Sequence, residues 1–129
     1  MHETRIATRW TDFDALGHLT HSVVLVYLDE ARDAFVTELV GDFDAWPSVV
    51  ARIEADFRRE LERGARELVV RTRVLEVGRS SVRFAQELLA PDGEVAVESV
   101  SVLVAFDPEA RASRPIADND RARLLASSV

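Results

Sequence analysis

Two carboxylates, Asp12 and Asp14, a glycine, Gly17, and two histidines, His18 and His21, fall within ten residues, directly ahead of an apolar, helix-like run. Carboxylates and imidazoles are the side chains best suited to proton transfer near neutral pH. The first N–H groups of a helix lack intrahelical acceptors and favour negative charge. Asp14 and His21 stand seven residues apart across a turn, with His21 just before the expected helix. A carboxylate beside such a helix end suits attack on a carbonyl or activation of water, with the amides holding the developing oxyanion. The same residues also suit an architectural role, in which the aspartates make Asx-type turns, Gly17 supplies the bend and the histidines cap the helix. A metal site from Asp12, Asp14, His18 and His21 is chemically feasible, yet the four match no strong ligand spacing, and no metal is expected. Spacing alone leaves the catalytic and the architectural readings open.

The elements that must position this cluster follow from hydrophobic periodicity. Arg5 to Thr11 reads as a first strand, with Ile6, Thr8 and Trp10 on one side, ending in D-F-D-A-L-G-H. From Ser22, a suitable N-cap, the pattern turns helical: Val24, Tyr27, Leu28, Ala31, Phe35 and Leu39 form a stripe, with Asp29, Glu30, Arg32 and Asp33 largely off it. Val23, Leu25, Val26 and Val36 lie outside that stripe, which predicts a helix buried over more than one face and stopped at Gly41. Strands are expected over Val49–Arg58, with one buried and one wet face, and over Glu67–Val77, Ser81–Ala90 and Val95–Phe106. R-R-E-L-E-R-G-A-R joins the first two of these as a loop or bulge, with a short helix over Arg59–Arg63 as the competing reading. P-D-G-E makes a hairpin of the last two strands. One long helix and a meander of strands argue for an α+β fold of one domain, residues 1–129, with 107–129 a peripheral tail that frays or forms a short surface helix.

Composition narrows the partners. A formal charge of −7 disfavours DNA and RNA, whose binding depends on neutralising phosphates with a basic surface. All 16 basic residues are arginines, many between Arg52 and Arg83, which fits either a salt-bridged surface or a local patch for a small phosphorylated ligand. The absence of cysteine excludes disulfides, thiolate catalysis and cysteine-based metal sites. No apolar run approaches the ~20 residues needed to span a bilayer. M-H-E-T-R-I-A-T-R-W lacks the charged-then-apolar pattern of a secretory signal, so a cytoplasmic location is expected. No G-x-S-x-G, glycine-rich phosphate loop or H-E-x-x-H occurs.

The stretch R-W-T-D-F-D-A-L-G-H-L-T-H, followed by a helix carrying Y-L-D-E-A-R, resembles the signature of hotdog-fold acyl-CoA thioesterases of the 4-hydroxybenzoyl-CoA and Tol-Pal-associated type. G-R-S-S at Gly78 to Ser81 is similar to a segment before that family's fourth strand, and the resemblance runs from about Arg5 to Phe106. It implies a curved antiparallel sheet of about five strands around one long helix, in a homodimer or tetramer with active sites between subunits. It implies hydrolysis of an acyl-CoA or acyl carrier protein thioester, with no cofactor beyond the coenzyme A of the substrate. The catalytic carboxylate falls on Asp14, as nucleophile or general base, and a second polar site residue on His21. Gly17 and amides around Val23, Val24 and Leu25 form the oxyanion and acyl site, and Arg58, Arg59, Arg79 and Ser80 are the implied coenzyme A contacts. Many relatives carry Asn and then Tyr where this chain has Val23 and Val24, so the acyl pocket departs from theirs. A non-catalytic acyl-thioester-binding module and, further off, a hotdog dehydratase are the alternatives on the same fold.

Overall fold

In the computed structural model, which describes residues 1–127, the order of elements is β1 (His2–Ala7), α1 (His21–Leu39), β2 (Ser48–Phe57), β3 (Glu67–Val77), β4 (Ser81–Leu89), β5 (Val95–Asp107), β6 (Ala112–Ser113) and α2 (Asp118–Ala126). The strands pair antiparallel in the order β1-β3-β4-β5-β2, and β6 adds to the end of β5. The expected hairpin joins β4 and β5: Gly93 takes φ +89°, and the Ala90 N–H donates to the Glu94 carbonyl at 2.8 Å. Connections of this kind lay one sheet around one helix, the hotdog arrangement.

The apolar stripe of α1 builds the core against the sheet. Toward its N-terminus, Val24, Tyr27, Leu28 and Ala31 pack with Ile6, Leu68, Val70, Leu88 and Val97; toward its C-terminus, Phe35 and Val36 pack with Trp46, Val74, Val82, Phe84 and Leu103. Phe35 meets Phe84 edge to face, the ring centroids 6.1 Å apart, an arrangement the ring quadrupoles favour.

Six local expectations need correction. The first strand ends at Ala7, because the Asp12 carboxylate captures the Arg9 N–H at 3.0 Å and a single 3₁₀ turn follows over Trp10–Asp12; Trp10 is consequently 73% exposed. The N-cap of α1 is Thr20, so His21 is its first residue and not a residue before it. Arg32, expected off the stripe, is 2% exposed. Burial there is tolerated because the sheet presents polar partners: Arg32 donates to Gln86 Oε1 at 3.2 Å and to Ser101 Oγ at 3.3 Å, and pairs with Asp29. The helix is buried on one face only, leaving Leu25 and Val26 exposed, and β2 is open on both faces, with Val49, Val50, Ile53 and Phe57 exposed. Finally, the tail forms the short helix α2 but is not peripheral: Ile116 ahead of that helix and Leu124 on it are buried in the core. Its last two residues, 128–129, lie outside the described residues.

Candidate active site

The loop between β1 and α1 folds by its own polar groups. Phe13 and Leu19 bridge across it, the Asp14 N–H donates to the His18 carbonyl at 2.8 Å, and the Gly17 N–H donates back to the Asp14 carbonyl at 3.0 Å. Gly17 sits at φ +80°, a conformation that costs any other L-residue strain. Oδ1 of Asp14 accepts the Leu16 N–H at 2.9 Å and the His18 N–H at 3.1 Å. Oδ2 has no protein partner among the described residues. The His18 amide first, then the Leu16 amide, hold the carboxyl of this exposed residue below the ordinary carboxylate range; the positive charges of His18 and Arg63 add to this and desolvation opposes it. Asp14 is therefore an anchored, ionised carboxylate with one oxygen to spare.

Asp12 has no spare oxygen. It is 3% exposed, and its Oδ2 accepts both the Arg9 N–H at 3.0 Å and the Tyr27 hydroxyl at 2.5 Å. Its Oδ1 meets the Arg9 guanidinium at 3.5 Å. Burial raises its pKa, but the Tyr27 hydroxyl and the Arg9 contacts outweigh that and hold it low. The architectural reading fits Asp12, whereas Asp14 retains unused chemistry.

The helix end supplies the complementary polarity. Thr20 makes no side-chain cap, and its carbonyl accepts both the Val23 N–H at 2.9 Å and the Val24 N–H at 3.1 Å. The Leu25 amide lies within the regular helix. The donors left without a partner are thus the amides of His21 and Ser22, ahead of Val23 to Leu25. No acidic residue stands in the first turn to compensate the dipole.

Asp14, His18, His21, Val24, Phe57, Arg58 and Arg59 line one cleft of about 720 Å³. Its apolar wall is Leu16, Leu19, Leu61 and Val97, and Val24 is nearly fully buried behind it. The His21 ring meets Phe57 edge to face at 6.2 Å, and its nitrogens have no protein partner among the described residues. Arg58 pairs with Glu98 at 2.8 Å and Arg59 with Asp92 at 2.9 Å, both at the surface. Arg79 and Ser80 stand elsewhere, in the turn between β3 and β4. The Ser80 carbonyl accepts the Ala105 N–H, whereas Phe57 at the cleft pairs with Val97; the stretch of β5 between those two points spans roughly 27 Å. Within one chain, then, the structure gathers Asp14, His21, Val24, Arg58 and Arg59 but not Arg79 and Ser80. Among the described residues, no group of three or more His, Asp or Glu side chains is arranged to hold a metal.

One residue of this neighbourhood was not singled out by the sequence. Arg63 lies over the Trp10 ring at 3.9 Å and reaches the Asp14 carbonyl at 3.4 Å. It is one of several arginines in the β2–β3 connector, which is a loop containing an isolated His18–Glu62 bridge and no helix. Only the antiparallel apposition of that connector to the Asp14 loop distinguishes it.

Residues 8–124 match the model of the thioesterase-like superfamily. A thioesterase from Thermus thermophilus, crystallised with coenzyme A and Zn, is 31% identical over 95% of each chain, with a TM-score of 0.85. The structure of a predicted thioesterase from Bacillus stearothermophilus is 25% identical over 98% of this chain and 96% of that one, with a TM-score of 0.89. The DHNA-CoA thioesterase of Staphylococcus aureus shares the fold at 16% identity, covering 96% of this chain and 87% of its own, with a TM-score of 0.83. No curated protein gives a significant match. Among the described residues, no helix is long and apolar enough to cross a membrane.

Proposed function

Because the chain belongs to the thioesterase-like superfamily, we propose that it hydrolyses an acyl-CoA thioester, in the manner of the 4-hydroxybenzoyl-CoA and Tol-Pal-associated thioesterases, with Asp14 as its catalytic carboxylate. The observation that carries this reading is the division of labour at Asp14: one oxygen is anchored by two amides, and the other is unpartnered in a cleft shared with an uncompensated helix end. In the general-base form, Asp14 takes a proton from water as the water oxygen bonds to the thioester carbon. The His21 and Ser22 amides hold the oxyanion, the C–S bond then breaks, and the proton held by Asp14 passes to the departing thiolate, with His21 lining the same cleft. In the nucleophilic form, Asp14 Oδ2 bonds to the carbonyl carbon, the thiolate leaves, and water hydrolyses the resulting anhydride. Coenzyme A enters only as part of the substrate, and acyl carrier protein thioesters are the other admissible form.

The apolar wall around Val24 and Phe57 receives the acyl group, while Arg58 and Arg59 exchange their surface carboxylates for coenzyme A phosphates. Val24 lines the cleft and Val23 packs against the core beside it; both are small and aliphatic where many relatives carry Asn and Tyr, which favours a non-polar acyl group. Release of free thiol from a panel of acyl-CoAs tests the assignment.

The working unit is a dimer paired through β2. This strand is a sheet edge with apolar side chains exposed, and the neighbouring face of α1 exposes Leu25 and Val26. Two-fold antiparallel pairing of β2 sets the Phe57 end of one copy beside the Ser48 end of the other, and Ser48 pairs with Ala105 next to the Ser80 turn. Arg79 and Ser80 then serve the cleft of the second copy. Light scattering on the purified protein should give twice the chain mass, and Ile53→Arg, on the inner face of β2, should give a monomer with little thiol release. A fully active wild-type monomer would contradict this arrangement.

A further inference from the structure

Arg63 grips the Asp14 loop by backbone and side chain together. Its N–H donates to the Gly17 carbonyl at 2.8 Å, and the Leu19 N–H donates to the Leu61 carbonyl at 2.7 Å, so residues 61–63 run antiparallel to residues 17–19. Its guanidinium lies 3.9 Å from the centre of the Trp10 ring and 5.6 Å from that of Phe13. One terminal N–H reaches the Asp14 carbonyl oxygen at 3.4 Å. Nε is buried without an acceptor, and the guanidinium makes no ion pair among the described residues. By contrast, Arg52, Arg58, Arg59 and Arg83 each hold a surface carboxylate. A guanidinium that leaves a buried N–H unpaired and takes no carboxylate is not an ordinary surface ion pair. The two rings offset the unmade bond and fix the plane of the group.

We propose that Arg63 is a positioning residue: its guanidinium, stacked on Trp10, braces the Asp14 carbonyl while its backbone N–H holds that of Gly17, and so keeps Oδ2 of Asp14 available to the cleft. The proposal rests on Asp14 being the catalytic carboxylate. The same guanidinium contributes a positive potential that favours the ionised form of Asp14.

Steady-state thiol release and its pH profile test this in three variants. Arg63→Met keeps an apolar chain on the Trp10 face but removes charge and donors; Arg63→Lys keeps charge; Trp10→Leu removes the platform at an exposed position. Arg63→Met should lower kcat about tenfold through misplacement of the carboxylate, with KM within about twofold. Losing a positive charge raises the pKa of Asp14, so the acid limb of kcat/KM should move to higher pH. Arg63→Lys should return the limb toward the wild-type position while kcat stays reduced, and Trp10→Leu should lower kcat with the limb unmoved. His18, His21, Arg58, Arg59 and Glu60 also line the cleft and are unchanged in all three, so a moved limb reports on Arg63. Wild-type kcat and an unmoved limb in Arg63→Met overturn the proposal. If that variant does not fold, wild-type kcat in both Arg63→Lys and Trp10→Leu overturns it. Asp14→Asn run in parallel separates the two levels: full turnover there removes the reading of Asp14, whereas an inactive Asp14→Asn beside wild-type Arg63 variants removes only the role of Arg63.

Discussion

Asp14→Asn should lower turnover of acyl-CoA by about 10²–10⁴-fold, the usual worth of a positioned acid or base, while the folded protein and its melting temperature stay close to wild type. The separation follows from how the side chain is used. Both amide contacts, from Leu16 and His18, go to Oδ1, and an asparagine carbonyl oxygen accepts the same two N–H groups. What the substitution removes is the charge and the free Oδ2 lone pairs, and those are what a nucleophile or general base needs. Turnover within a few-fold of wild type would remove Asp14 from the chemistry. Loss of activity accompanied by a large fall in melting temperature would mean that the residue acts through the loop.

Asp12→Ala should do the reverse and cost stability. The side chain is buried and satisfies the Arg9 N–H and the Tyr27 hydroxyl, so its removal strands two donors, one on the helix that forms the core. Stranding buried partners of a charged group costs about 3 kcal/mol. For a domain of this size that corresponds to a fall of about 10 °C in melting temperature. The low pKa of Asp12 adds a pH signature. Its contribution to stability is present above the ordinary carboxylate range and is lost as pH falls through the lower folded-state value. Differential scanning calorimetry of wild type and variant measures both effects; equal melting temperatures at neutral pH would contradict the structural role assigned to Asp12.

The contrast between these two aspartates also marks how much the sequence reveals. The D-F-D-A-L-G-H turn, the long helix, the P-D-G-E hairpin and strands β2 to β5 are legible because each is encoded locally, by turn residues or by periodicity. The place of Arg63 is not, since it depends on the β2–β3 connector lying against the Asp14 loop, a contact between residues distant in sequence. Arg32 reads as a surface charge on a helical wheel, yet Gln86 and Ser101 across the sheet, Gln86 held by Thr72, join Asp29 in making its burial tolerable. Leu124 reads as part of a charged tail, yet Ile116 and Leu124 close the core. The alternation in β2 predicts one buried face through Val49, Ala51, Ile53, Ala55 and Phe57; a bulge after Val50 instead aligns Val50 with Ile53, Ala55 and Phe57, and that apolar face stays largely exposed, with Phe57 touching only the His21 ring among aromatic partners. Nor does position in the turn reveal that the Val23 and Val24 amides are already taken by Thr20 and that the free donors are those of His21 and Ser22.

A carboxylate with one free oxygen, in a cleft shared with an uncompensated helix end, is tested most directly by the release of coenzyme A from a panel of aliphatic and aromatic acyl-CoAs offered to the purified wild-type protein. Catalytic, time-dependent appearance of free thiol with at least one acyl class, abolished in Asp14→Asn, is the predicted result. Tight binding of acyl-CoA with no thiol released from any member of the panel would contradict it, and would leave a module that holds thioesters without cleaving them.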